Sequence, residues 1–396
     1  MPDLDFESVF RRAAARAQET ADRNRSEVAQ ARAALDADGR LLGVLDHSPQ
    51  LQASILREAI ARAWEGRFGR ASTHLQEFIE LRRLAARAYA RSRHPGLREA
   101  WFDAAARTAN AYRIAGRHEE AGRVLWRLEA IERFTGPRGL TSDTMRAIQE
   151  RGVRRLGFLA TLERARGNYS EALRIANWTV AKVRLVPNPP NLAAAYSRRA
   201  AIRVDYALEL VGDERLQMLD EAHKDIRKCL DNTADATVAA GPIASLALWR
   251  ARSGEPFEQL CSYLESYMGE RPLPEAIALR LAWARALAVA PESLADADTG
   301  LAQCCQRFHE LERPTDAGIV VLDRIRIRYE AGVPLGIVQL VLEAKARLRA
   351  AELTPETNRV LDALWARALL EARRGPLRAM ALAPHLEAAH RALSRP

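Results

Sequence analysis

Aromatic side chains make up only 6% of this 396-residue chain, and glycine numbers 21. With alanine, leucine, glutamate and arginine abundant, so little glycine leans the chain strongly towards helix. Cysteine is equally sparse. Cys229, Cys261, Cys304 and Cys305 form no CxxC pair, and their spacing fits neither a zinc site nor a disulfide framework. Reduced thiols, as in a cytoplasm, are the simplest account. No apolar run approaches the roughly 18 residues that a spanning helix needs. The opening "MPDLDFESVF" is acidic and lacks a signal-peptide core. The expectation is a cytoplasmic protein with no membrane contact.

Catalytic signatures are missing too. There is no GxxxxGK phosphate loop, and "GRFGR" (66–70) follows no strand pattern that would make it a dinucleotide fingerprint. The histidines of "HLEAAH", His385 and His390, lie five apart and do not share a helix face as i,i+4 metal ligands would. No serine or cysteine has a histidine partner that spacing would justify. The expectation is a protein that is not an enzyme and has no cofactor or metal.

What is present is charge, and above all arginine. The net charge is +9, and lysine occurs only at Lys182, Lys224, Lys228 and Lys345. Residues 151–200 carry ten Arg or Lys against two Glu, whereas 201–300 are acidic. A nucleic-acid binder usually presents a continuous basic face. One basic segment between acidic ones points away from nucleic acid.

Hydrophobic residues make up 48% of the chain, too many for a wholly disordered one, and they are organised by a recurring joint. "GRFGRA" (66–71), "GRHEEA" (116–121) and "GNYSEA" (167–172) share a glycine, a ring two places on, and an alanine at the sixth place. Helical patterning precedes and follows each. A glycine in the left-handed conformation caps the carbonyl end of one helix. Acidic residues such as Glu119, Glu120 and Glu171 then suit the first turn of the next. The alanine lets the two helices approach, and Phe68, His118 or Tyr169 covers the bend. Looser copies turn at Gly212, Gly254, near Pro291, at Gly332 and at Gly375. Proline-rich breaks such as "RLVPNPPNL" (184–192) and "ERPLPEA" (270–276) stop one helix and start the next.

Units built this way resemble tetratricopeptide repeats. Leu156, Leu159, Ala160, Gly167, Tyr169 and Ala172 fall in that family's places, as do Ala109, Tyr112, Gly116, Ala121 and Leu125. The resemblance implies an all-α fold: a right-handed superhelical α-solenoid of about eight antiparallel helix pairs over residues 50–396. Residues 1–49 form an N-terminal helical segment, with a narrow apolar stripe through Phe6, Phe10, Ala13, Ala17, Val28 and Leu35. It either caps the array or engages a partner.

In the resembling family the first helix of each pair lines a concave groove that commonly binds peptides or a partner's helix. Carried over, the groove residues are Asn110 and Arg113 from the second unit and Arg154, Thr161 and Arg164 from the third. Arg199, Arg203 and Tyr206 come from the fourth. Guanidinium forks suit carboxylates, so the expected partner is an acidic protein or peptide. The competing account is that these arginines are solvated or paired with glutamates one turn away. Two functions follow from the resemblance. One is a non-catalytic interaction scaffold; the other is a ligand-responsive regulator, similar to bacterial peptide-sensing repeat proteins, whose superhelix tightens on binding.

Overall fold

The computed structural model describes residues 44–133, 142–185, 188–207, 209–233, 237–268, 273–333, 336–348, 355–374, 384–386 and 388–389. The N-terminal segment before Val44, the joint at Gly375 and the pair His385–His390 as a whole therefore lie outside the described residues. What is described is all-α. The helices are α1 (Pro49–Glu65), α2 (Ala71–Ser92), α3 (Pro95–Ile114), α4 (His118–Arg133) and α5 (Ser142–Ala165). After them come α6 (Tyr169–Leu185), α7 (Pro189–Tyr206), α8 (Gly212–Asp231), α9 (Thr237–Arg252) and α10 (Glu258–Met268). The last are α11 (Glu275–Val289), α12 (Leu294–Glu310), α13 (Pro314–Glu330), α14 (Ile337–Leu348) and α15 (Pro355–Arg374). No β-strand occurs among the described residues.

Local chemistry sets the boundaries. Pro49, Pro95, Pro189 and Pro314 open α1, α3, α7 and α13, where a missing N–H costs nothing. Ser48, Asn188 and Ser293 accept the first free N–H groups of α1, α7 and α12 through their side chains. At the best-formed joints, Gly116 and Gly167 take φ of 78° and 81°. There the Arg117 N–H donates to Tyr112 O and the Asn168 N–H to Glu163 O, both at 2.9 Å, closing the helix end as a Schellman motif does. The alanines at the sixth place, Ala71, Ala121 and Ala172, are all buried. Tyr169 is buried and stacks on Tyr206 at 5.9 Å.

Helices pack on their sequence neighbours, with little contact only between α10 and α11, and each odd-numbered helix from α1 to α11 also touches the next odd helix. A continuous apolar core of alanine, leucine and isoleucine runs from Val153 to Ala389. Helices α13 and α14 pack closely. A Cβ on Gly318 would lie 2.4 Å from Cγ and Cδ2 of Leu348, itself buried. Gly318→Ala should therefore destabilise the protein by about 1–3 kcal/mol, the cost of over-packing, measured by urea unfolding.

The first joint departs from expectation. Gly66 keeps a right-handed φ of −67°, and a 3-10 turn, Gly66–Phe68, extends the bend. This longer turn reaches across the molecule. The Ala71 N–H donates to Leu311 O at 3.1 Å, and Arg313 Nη2 donates to Arg67 O at 2.6 Å. The Ser72 N–H and Arg70 Nε donate to the Glu312 carboxylate at 2.8 and 3.0 Å. Phe68 packs on the core shared by the later helices. The array curls until its first bend clasps the α12–α13 joint.

Candidate inner-face site

The clasp brings helices distant in sequence around one space. Asp103, Arg107 and Arg113 come from α3, Arg154 and Arg164 from α5, and Arg198 and Asp205 from α7. Arg280 belongs to α11, and Arg313 caps α13, whose first turn carries Asp316. Their electrostatic coupling shows the proximity. The Arg113 guanidinium is pushed down to about 9 by burial, then by repulsion from Arg164, Arg313 and Arg280, with Asp316 opposing. It remains half-buried and so keeps contact with solvent.

Pairing within this space is incomplete. Arg164 Nε reaches Asp205 at 2.6 Å, and Arg280 Nη2 reaches Asp316 at 3.0 Å. Burial works to raise the Asp316 carboxyl, but Arg280 and Arg313 outweigh it and hold the group low. Asp103 behaves alike: burial opposes ionisation, while Arg154 at 3.3 Å and Arg107 at 3.1 Å hold it in the charged form. Nearby His74 is pushed down to about 4, by burial first and Arg313 second, and is neutral at pH 7. Glu275 also acts on Arg313, but its carboxylate binds Arg307. Seven guanidinium groups thus face three aspartates.

The residues expected from the sequence divide between two places. Asn110 is buried and accepts from Arg113 Nε at 3.1 Å. Arg113, Arg154 and Arg164 belong to the inner face, and Tyr206 lies beside it against Tyr169. Thr161 spends its hydroxyl on Gly157 O one turn back, at 2.9 Å. Arg199 and Arg203 turn the other way, towards α8. Arg199 forks onto both oxygens of the fully buried Asp225, at 2.7 and 2.6 Å, and Arg203 joins the same carboxylate.

Sequence reasoning missed Arg107, Arg198, Arg280 and Arg313. In the second and third units the helix ends two residues before the joint glycine, at Ile114 and Ala165. In the fourth, α7 ends at Tyr206, well before Gly212, so counting back from the glycine loses the register. Arg198 and Arg199 are adjacent and point about 100° apart around the helix. The helical phase of α7, read from its own buried alanines, was the signal available. Arg280 and Arg313 come from units whose motif has decayed.

Elsewhere the surface offers less. An outer cleft of about 510 Å³ between α4 and α5 is lined by Trp126, Arg123, Leu159 and Arg155. Its Arg155 is already tied to Glu132 at 2.6 Å. Among the described residues no three His, Cys, Asp or Glu side chains gather as a metal site, and no helix is long and apolar enough to cross a membrane. All four cysteines are buried and outside any disulfide, and burial pushes the thiols of Cys261, Cys304 and Cys305 up to about 11. They are held as thiols, not nucleophilic thiolates.

The fold defines an all-α array of helices packed in sequence order, with an arginine-rich inner face. No protein-family model matches the chain, and no curated protein matches it.

Proposed function

We propose that the chain is a non-catalytic interaction scaffold, a tetratricopeptide-like superhelix whose inner face receives an acidic peptide or an acidic segment of a partner protein. The observation that carries this reading is the excess of guanidinium over carboxylate around Arg113, in a space walled by α3, α5, α11 and α13. Like charges held together in a partly dehydrated space raise the free energy of the empty protein. A carboxylate-rich segment relieves that repulsion as it binds, and arginine forks give it geometry. The test uses a fluorescent glutamate-rich decapeptide. Arg113→Glu should weaken its binding at least tenfold, while Arg174→Glu on the exposed outer surface should leave it unchanged. Equal affinity for both variants would sink the reading.

A second reading, a ligand-responsive regulator, has an observation of its own. Glu312, a non-glycine residue, holds a left-handed φ of 55° at the clasp, where its carboxylate binds Arg70 and Ser72. A strained joint that closes the array is a place where occupancy and shape can be coupled. For a switch, the amides of 66–72 and 311–313 should exchange more slowly with the peptide bound. Unchanged exchange there would leave a static scaffold.

A further inference from the structure

Arg198 stands apart from the other inner-face arginines. Its guanidinium has no carboxylate partner among the described residues; instead it lies over the Phe158 ring, 4.8 Å from the centroid. Phe158 meets Trp64 edge-on at 5.8 Å, and Arg107 lies over Trp64 at 4.6 Å. Two rings from α1 and α5 therefore hold Arg198 and Arg107, and Arg67, which also donates to Trp64 O, lies over Trp64 as well, 5.0 Å from its centroid. The place for Arg198 is made by Gly157, where a Cβ would come within 2.5 Å of Nη1. Burial pushes Arg198 down to about 10, and repulsion from Arg107 and Arg154 nearby adds to it. Those two arginines share the single carboxylate of Asp103. Three cations meet one anion.

We propose that Arg198, Arg107 and Arg154 form a binding site for a phosphate-class dianion, either inorganic phosphate or the phosphate of a small monoester. The excess charge of two matches a dianion and leaves a single carboxylate over-compensated. Three guanidinium forks supply donors on several sides, as the oxygens of a tetrahedral phosphate require. Phe158 and Trp64 fix the cations before the anion arrives, so little ordering is left for binding to do. The site shares the inner face with the peptide reading but needs no protein partner, and it uses different residues from the Arg113 cluster.

The proposal is tested by calorimetry and thermal unfolding of the full chain at constant ionic strength, with inorganic phosphate, phenyl phosphate and acetate. Phosphate or phenyl phosphate should bind saturably and raise the melting temperature, and acetate should do neither. A response to phenyl phosphate alone assigns the ligand as a monoester, and a response to both admits free phosphate. Arg198→Met should weaken binding at least tenfold. Because it removes a repelled cation, it should melt at or above the wild-type temperature when no anion is present. Gly157→Ala should weaken binding severalfold by displacing the guanidinium without changing charge. Equal phosphate binding by wild type and Arg198→Met, or an equal response to acetate, would overturn the site. So would a lower melting temperature for anion-free Arg198→Met, which would make Arg198 a structural residue. Peptide binding is scored at Arg113→Glu, so either idea can fail alone.

Discussion

Asp225→Ala should be among the most damaging single substitutions in this protein, costing about 3–5 kcal/mol of stability. The carboxylate is fully buried on α8 and compensates two guanidinium groups, Arg199 and Arg203, both nearly buried and both on α7. Arg203 has one further anionic contact, to Glu221. Without Asp225, Arg199 keeps no carboxylate among the described residues, but only Asn177 Oδ1 at 3.0 Å and the Tyr196 ring 5.6 Å away, and its charge sits uncompensated between two helices. Deleting one member of a buried ion cluster exposes the full desolvation cost of the others. Helices packed in sequence order draw stability from neighbouring interfaces, so the loss should fall first on the α7–α8 pair. Urea unfolding gives the size of the effect, and hydrogen exchange gives its place. A loss below about 1 kcal/mol would mean that water reaches Arg199 and Arg203, contrary to their burial.

The same ion cluster shows where sequence reasoning ends. That Arg199 and Arg203 lie four apart on one face of a helix was legible, because helical periodicity fixes it. That the face meets Asp225 and not the inner space was not, because the meeting depends on how α7 is rotated against α8. The joints were more open to reading. Gly116 and Gly167 close helices in the left-handed conformation, and Ala121 and Ala172 are buried where the following helix returns. Both follow from local backbone chemistry. Gly66 carries the same motif yet stays right-handed, because its bend is occupied with contacts to Leu311, Glu312 and Arg313. Arg70 and Glu312 are 242 residues apart, and no local rule brings them together. The helical class could be read from pattern. The closure, and the arginines it gathers from α11 and α13, could not.

Asp323→Ala should be of similar severity, about 3–5 kcal/mol, and its consequences should reach the clasp. Asp323 is completely buried on α13 and ties three odd-numbered helices together. Its Oδ2 accepts from Arg252 of α9 at 2.9 and 3.1 Å and from Trp283 Nε1 of α11 at 2.9 Å. Arg252 also lies over the Trp283 ring, 5.0 Å from its centroid. Alanine would strand a buried guanidinium and a buried indole N–H and leave a cavity besides. Because α13 opens directly after Arg313, loosening it should free the Arg313–Arg67 and Glu312–Ser72 contacts that close the array. The amides of Ala71 and Ser72 should then exchange faster, although they belong to α2. A paired replacement separates charge from packing. Arg252→Met with Asp323→Leu removes both buried charges together and should recover most of the loss, since well-packed apolar residues replace a buried ion pair at little cost. The indole N–H of Trp283 is left without its acceptor in both variants, so recovery should stop short by about 1–3 kcal/mol. If the double variant is no more stable than Asp323→Ala, the carboxylate acts mainly on Trp283, and Arg252 is a bystander.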